Sequence, residues 1–182
     1  LCRVVAGDYI KAHREGVRIG RTILGSKVTE KADVVIVSSH PADQDFWQSP
    51  KAMYGAEPAL KGDRGGTIIM ISPNHEGIGP HPEYPEYMSR DDGDDIVRAC
   101  IAGEEIPGDR LAIAVGNSMS KMRRRRKLVV VGGGVTAEQM AQCGCKYYPL
   151  SALQQAVDDA VAEYEDCRVA AMSGGADAFL YE

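Results

Sequence analysis

The hexapeptide DVVIVS at residues 33–38 decides the fold, because it is a short, continuous run of mostly β-branched apolar residues. Such a run, without alternation of polar and apolar residues, is typical of a strand that is covered on both faces, as in a parallel sheet. Three further runs of this kind lie at residues 67–72, 127–131 and 168–172. A fifth, at residues 146–149, is weaker because a proline interrupts it.

Helical patterns separate these runs, so that strands and helices alternate along the chain. The spacing of apolar residues predicts helices over residues 8–23, 50–61, 94–102, 109–122, 136–142 and 151–164. The alternation predicts an α/β fold, a three-layer sandwich with a mostly parallel, Rossmann-like sheet of four to five strands. The polar stretch at residues 73–93 is predicted to be the chief irregular loop.

The bulk composition excludes several classes of protein. With 182 residues, 44% of them hydrophobic and 26% charged, the chain is ordinary for one globular domain. The net charge of −5 argues against a nucleic-acid surface, and no apolar run approaches the length of a membrane span. The five cysteines are odd in number and irregularly spaced, which implies no disulfide framework and favours a cytoplasmic location.

Two local patterns each have an ordinary and a functional interpretation. The basic run at residues 123–127 is expected to be a solvated helix end, with an anion or acidic-partner patch as the alternative. The tripeptide at residues 143–145, Cys-Gly-Cys, is expected to be a buried turn, because its spacing is tighter than that of usual zinc ligands. The alternative there is a redox or metal feature.

Three loops leave the carboxyl ends of the predicted strands, which is where ligands bind in open parallel sheets. In the first, residues 39–51, Ser49 and Pro50 predict a helix start with free backbone amides. Lys51 in the first turn and Gln48 before it add side-chain donors, so this loop suits a carboxylate or a phosphate. The alternative is that Lys51 simply points to water.

The other two loops give weaker signals. The second, residues 73–81, contains His75, Glu76 and His81, whose spacing fits a lid better than a metal site. The third, residues 132–136, has a glycine run that is either a phosphate cradle or a tight turn, and it lacks the spacing of known phosphate-binding motifs. No pair of nucleophile and base stands out. The residues by themselves therefore predict that the loops at the carboxyl ends of the strands can bind an anion but carry no catalytic groups.

Several stretches of the chain resemble the carboxy-terminal domain of the nickel-dependent lactate racemase family. They lie at residues 7–17, 32–39, 43–52 and 65–69. The most specific element is Gln-x-x-Lys, here Gln48 and Lys51, after an Asp-rich loop.

The resemblance implies that catalysis and substrate closure are carried by two different domains. An amino-terminal domain carries the nickel-pincer nucleotide cofactor and the catalytic histidines, residues 1–25 lead in from it, and residues 26–182 form the carboxy-terminal domain. Gln48 and Lys51 hold the carboxylate of a 2-hydroxy acid, and the domain closes over the site of a racemase or epimerase. The chain alone is then expected to hold no metal, cofactor or catalytic residue and to be inactive. The alternative is a free-standing anion- or nucleotide-binding module without catalysis.

The chain also departs from this family where the substrate is concerned. His40 stands in a Ser-His pair where lactate racemases have Asn-Gly or Gly-Gly, and Arg110 and Leu111 stand where they have Gln-Trp. These three residues and His75 are therefore further candidates for substrate contact. Leu111 fills less space than the tryptophan, which predicts a substrate larger than lactate. The expected partners are a small hydroxy acid and the amino-terminal domain, with neither nucleic acid nor membrane.

Overall fold

The computed structural model describes residues 1–181, in which helices and strands alternate as predicted. The helices are α1 (Tyr9–Leu24), α2 (Lys51–Ala56), α3 (Tyr84–Ser89), α4 (Gly93–Ile101), α5 (Arg110–Arg123), α6 (Ala137–Gln142) and α7 (Leu153–Val161). The strands are β1 (Gly25–Lys27), β2 (Val34–Ser38), β3 (Thr67–Ser72), β4 (Lys127–Gly132), β5 (Lys146–Pro149), β6 (Val169–Met172) and β7 (Phe179–Tyr181). Short 3₁₀ turns follow α2 and β5, at Glu57–Ala59 and Leu150–Ala152.

Five strands form one parallel sheet in the order β5–β4–β3–β2–β6, which confirms the predicted fold class. The central strand β3 pairs on both sides, so that Ile69 lies between Ile36 of β2 and Val129 of β4. The weakest of the predicted strands, β5, is present and forms one edge of the sheet. Pro149 is its last residue, so the proline does not interrupt the pairing with β4. A second, two-stranded parallel sheet of β1 and β7 was not indicated by the sequence patterns.

Alternate residues of the strands face two separate cores. Val35 and Ile68 face the larger core, which α2, α3, α5 and α6 cover. Val34 and Ile69 face a smaller core under α7. Because both faces are covered, the strands are continuous apolar runs rather than alternating ones.

The prediction that residues 73–93 form one irregular loop is wrong in its second half, which contains α3. Tyr84 and Met88 of this helix are fully buried, so the segment contributes to the larger core. The helix packs closely on α5 because Gly116 has no side chain: a Cβ there would lie 2.5 Å from the Cβ of Tyr87. Surrounding proline and acidic residues mask this one short amphipathic turn in the sequence.

The interpretation of the basic run as a solvated helix end is also wrong. Arg126 is buried, and its guanidinium donates to the carbonyl oxygens of Gly65 at 2.7 Å and Gly62 at 2.8 Å. Its Nε also donates to Glu57 at 3.1 Å, and Arg125 binds the same carboxylate at 3.0 Å. Arg125 and Arg126 therefore fasten the end of α5 to Glu57 and to the loop before β3.

The Cys-Gly-Cys segment is a buried turn, as expected. Cys143 is fully buried and Cys145 nearly so, and Gly144 between them has a φ of 71°. Burial raises the pKa of the Cys143 thiol to about 12, so this thiol stays protonated near neutral pH.

The first helix lies outside both cores, since no residue of α1 is buried. Asp8 caps it by accepting from the backbone N–H of Lys11 at 3.0 Å. At its other end the guanidinium of Arg21 lies 4.9 Å from the ring centre of Tyr181 in β7. Among residues 1–181 no helix is long and apolar enough to cross a membrane.

Candidate functional site

The loops at the carboxyl ends of β2 and β3 are joined by backbone hydrogen bonds. The N–H groups of Asn74 and Glu76 donate to the carbonyls of Asp43 at 3.1 Å and Gln44 at 2.9 Å. In the opposite direction, the N–H of Phe46 donates to Gly77 at 2.8 Å. The first two predicted loops therefore form one structural unit at this edge of the sheet.

The glycine run after β4 packs against the same unit. A Cβ at Gly132 would collide with the carbonyl oxygen of Ser72, and one at Gly134, where φ is 70°, would collide with that of Asn74. This close backbone packing is a structural reason for glycine at both positions. Of the two interpretations of this run, the structure favours the tight turn.

The helical turn before α2 starts earlier than the sequence predicts, and it starts at Asp45. The carboxylate of Asp45 accepts from the N–H of Gln48 at 2.8 Å, and its carbonyl accepts from that of Ser49 at 3.0 Å. The N–H of Lys51 donates to the carbonyl of Gln48 at 3.1 Å. The prediction of Ser49 as helix cap, with free amides around Lys51, is therefore wrong.

The side chains of Gln48 and Lys51 do lie together, because they are three residues apart in this turn. The ammonium group of Lys51 donates to Oε1 of Gln48 in a short hydrogen bond. This leaves the remaining hydrogens of Lys51 and the Nε2 amide of Gln48 as donors at an exposed position. Side-chain donors alone, without a contribution from the helix terminus, form the anion-attracting feature here.

Trp47, next to this pair, is held between two rings. Its ring centre lies 4.0 Å from that of His81 and 5.1 Å from that of Tyr84, the latter in an edge-to-face arrangement. The Cβ of Trp47 is also closely packed, because a Cβ at Gly79 would lie 2.9 Å from it. Trp47 is thus a fixed wall beside the donor pair.

His81 connects this wall to α5. Its Nδ1 hydrogen-bonds the carboxylate of Asp109, and this bond holds the pKa of Asp109 below its ordinary value. Asp109 also caps α5 by accepting from the N–H of Leu111 at 2.8 Å, and its own N–H donates to Glu83 at 2.8 Å. The start of α5 is thereby tied to the loop that carries His81.

A pocket of about 520 Å³ opens between α2 and α5, with the donor pair at its rim. Apolar and aromatic side chains make up most of its wall. They include Trp47, Pro50, Tyr84, Ala114, Val115 and Met119. Tyr54 and Ser118 also line it, and the hydroxyl of Tyr54 donates to that of Ser118 at 2.8 Å.

The other predicted site residues do not line this pocket. His40 and His75 are exposed, and Nδ1 of His40 lies 3.5 Å from the carboxylate of Asp43. Arg110 lines a separate groove of about 580 Å³ between α4 and α5. Leu111 is 58% exposed and lies one turn before Val115 on the same face of α5. A substrate role for these four residues stays a prediction.

Three residues of the site were not singled out from the sequence. The sequence patterns predict no role for Trp47 or Tyr84, and His81 lies in a loop whose spacing fits a lid better than a metal site. The signal for Trp47 was available, because it is the chain's one tryptophan and directly precedes Gln48. The contact between His81 and Asp109 joins residues 28 positions apart and carries no sequence signal.

Another cavity, of about 330 Å³, lies at the amino ends of the strands and is lined by cations. These cations have acidic partners: Lys146 lies 3.1 Å from Asp159, and Lys127 is paired with Glu163. Within residues 1–181 no cluster of three or more histidine, cysteine or acidic side chains could hold a metal ion. The pocket between α2 and α5 is therefore the better candidate for an anionic organic ligand.

The fold and this pocket define a class: a parallel α/β domain with donors beyond the carboxyl ends of its strands. Residues 28–176 match the lactate racemase C-terminal domain family, and the chain belongs to that family. This confirms the resemblance found in the sequence.

A solved structure with the same fold is that of the lactate racemase apoprotein from Thermoanaerobacterium thermosaccharolyticum. It is 23% identical to this chain, with a TM-score of 0.73. The similarity covers 94% of this chain and 40% of that protein, so the chain spans well under half of the length of its relative. None of the curated proteins matches the chain.

Proposed function

We propose that the chain is the substrate-closing domain of an isomerase, a racemase or epimerase that acts on 2-hydroxy acids. The observation that carries the proposal is the pair of Gln48 and Lys51 at the rim of the pocket, in a member of the lactate racemase C-terminal domain family. In this proposal, residues 1–25 lead in from an amino-terminal domain, and residues 26–182 form the closing domain of a cytoplasmic enzyme.

The nickel-pincer nucleotide belongs, in this proposal, to the amino-terminal domain. The donor sets of residues 1–181 do not fit a metal ion, so no chemical step is assigned to this chain through that cofactor. What this chain contributes is binding and closure, and the chain alone is expected to be inactive.

Lys51 and Gln48 are suited to hold the substrate carboxylate. An ammonium group and an amide N–H₂ together offer two charge-assisted or polar hydrogen bonds to the two oxygens. Both side chains lie at the rim, where closure of a second domain would remove water and strengthen each bond. Trp47 then forms a fixed wall that keeps the substrate in one orientation.

The alternative, a free-standing nucleotide- or anion-binding module, has less support. Gly132 and Gly134 pack closely on the backbone of Ser72 and Asn74, and the backbone amides around Lys51 are already hydrogen-bonded. A phosphate chain would therefore find neither a backbone cradle nor a free helix terminus.

The direct test is racemisation of single enantiomers of 2-hydroxy acids, followed by chiral chromatography. The full-length protein with its cofactor is expected to interconvert the enantiomers of at least one such acid, and the 182-residue chain alone none. A full-length protein that holds its cofactor and racemises or epimerises no 2-hydroxy acid would refute the proposal.

A further inference from the structure

We propose that His81 is a positioning residue for the proposed reaction: it holds Trp47 against the start of α5 and so keeps the two walls of the pocket at a fixed separation. The inference rests on the proposed function, and it does not depend on which 2-hydroxy acid the enzyme takes. It is carried by the contacts of His81 with both walls and by the packing of the loop in which His81 lies.

His81 contacts both sides of the pocket between α2 and α5 without lining it. Trp47 belongs to one wall of this pocket and Val115 of α5 to the other. The ring of His81 lies on that of Trp47, with ring centres 4.0 Å apart, and its Nδ1 hydrogen-bonds the carboxylate of Asp109 at the cap of α5. A ligand in the pocket is therefore affected by His81 only through the residues that His81 holds.

The bond to Asp109 connects His81 to the backbone of α5. The same carboxylate accepts from the backbone N–H groups of Leu111 at 2.8 Å and Ala112 at 3.3 Å. Only 19% of the side chain of His81 and 30% of that of Asp109 is exposed, so water competes weakly for the bond between them. Because a capping group fixes the first turn of its helix, a displacement of Asp109 would also displace the start of α5.

The loop that contains His81 is anchored on both sides of this residue. Before it, Gly79 packs so closely on Trp47 that a Cβ at Gly79 would lie 2.9 Å from that of the tryptophan. After it, the carboxylate of Glu83 accepts from the backbone N–H of Asp109 at 2.8 Å. Alanine at position 81 would therefore remove the ring between Trp47 and α5 while leaving both anchors in place.

Loss of this ring should affect turnover more than binding. Trp47 would keep its edge-to-face contact with Tyr84, at 5.1 Å between ring centres, but the face that His81 covers would be free. The substrate carboxylate could still bind at Lys51, whereas the rest of the substrate would take several orientations. A misplacement of about 1 Å is enough to lower turnover about 100-fold, so kcat should fall while KM changes little.

The chain provides its own probe of this contact, because Trp47 is its one tryptophan. Quenching of the tryptophan fluorescence of the chain by acrylamide measures how well the ring is shielded. His81→Ala is expected to raise the quenching constant about twofold or more, and His81→Phe, which keeps a ring against Trp47, should leave it close to that of the unaltered chain. The control His13→Ala, at an exposed position of α1, should match the unaltered chain. Unchanged quenching in His81→Ala would overturn the inference.

Kinetics of the full-length enzyme with its cofactor bound test the consequence for the reaction. His81→Ala is expected to lower kcat about tenfold, with KM within about threefold and the nickel content unchanged. His81→Phe keeps the ring but cannot bond Asp109, so its kcat should fall about threefold or more. His13→Ala should retain full turnover, and the urea midpoint of each variant measures any loss of folded protein. Full turnover in either variant at position 81, a rise in KM alone, or a loss explained by unfolded protein would contradict the positioning role.

The two proposals fail in different ways. If the unaltered full-length protein with its cofactor racemises or epimerises no 2-hydroxy acid, the proposed function is wrong, whatever the fluorescence of the variants shows. If the unaltered enzyme is active and His81→Ala turns over at the full rate, the proposed function stands and the positioning role of His81 is wrong.

Discussion

Cations lie at both ends of the strands of the parallel sheet, and the groups that bind these cations differ between the two ends. At the amino-terminal edge, Arg125 and Arg126 share the carboxylate of Glu57, and Lys127 is paired with Glu163. At the carboxyl-terminal edge, Lys51 is bonded to Gln48, a neutral amide that takes none of its charge. A cation with a neutral partner keeps its charge available for a ligand, whereas the charge of a cation beside a carboxylate is already compensated within the fold.

The comparison teaches how to weigh a basic residue in such a sequence. The run at residues 123–127 is the more conspicuous feature of the sequence, with five consecutive cations. In the fold it is structural, because carbonyl oxygens and carboxylates surround it. The single lysine after a Trp-Gln pair is the better candidate for function.

The largest expected effect is a difference in unfolding free energy between a variant at the amino-terminal edge of the sheet and a variant at the carboxyl-terminal edge. Arg126→Met removes the charge-assisted hydrogen bonds of a buried guanidinium to Glu57 and to the carbonyls of Gly62 and Gly65, so the free energy of unfolding should fall by about 2–4 kcal/mol. Lys51→Met, the matched change at the other edge, should alter it by no more than about 0.5 kcal/mol. Urea unfolding of the chain measures both. Equal losses would remove the distinction between a structural and an available cation.

The second prediction concerns how tightly the carboxyl edge is packed. Gly134→Ala places a methyl group against the carbonyl of Asn74 at a positive φ, and it should cost about 1–3 kcal/mol of unfolding free energy. Gly133→Ala is the control, since its Cβ would be 3.7 Å from the nearest atom, and it should be neutral or slightly stabilising. Thermal unfolding of the two variants gives the answer. If both are neutral, Gly134 is not held tightly against Asn74.

The smallest effect is expected from pH, at the bond between His81 and Asp109. The pKa of Asp109 is lower in the folded chain than in the unfolded chain because His81 bonds its carboxylate. A lowered pKa contributes stability above the unfolded value of about 3.9, and this contribution is lost as the pH falls through the folded value. Asp109→Asn keeps a capping side chain but lacks the charge, so its urea midpoint should lie below that of the unaltered chain at neutral pH. The two midpoints should converge in acid, and a constant gap would show that charge plays no part.

Much of the fold was predictable because it depends on local pattern. The four strong apolar runs and the weaker run at residues 146–149 all form strands of one sheet. The sequence gives no clear pattern for α3 because the helix has only six residues, one of them Pro85, although Tyr84 and Met88 are fully buried. Strands β1 and β7 have three residues each and pair across nearly the whole chain, so local sequence contains no sign of them.

The site was predictable only in part, for a related reason. Gln48 and Lys51 meet because they lie three residues apart in one helical turn, a local relation that sequence displays. The stacking of Trp47 on His81 and the bond from His81 to Asp109 join three separate segments. The pocket is also lined by Tyr54 and Ser118, whose hydroxyls are hydrogen-bonded although the residues are 64 positions apart. Such relations arise from packing, and no spacing rule reveals them.

The most direct test of the central claim compares two lysines in the full-length enzyme with its cofactor bound. Lys51→Ala should lower kcat/KM for the preferred 2-hydroxy acid by about ten- to a hundredfold, the equivalent of a charge-assisted hydrogen bond, at unchanged nickel content. Lys146→Ala, at the opposite edge and paired with Asp159, should leave kcat/KM unchanged. A Lys51→Ala enzyme that matches the unaltered enzyme on every acid it accepts would contradict the claim that this edge holds the substrate.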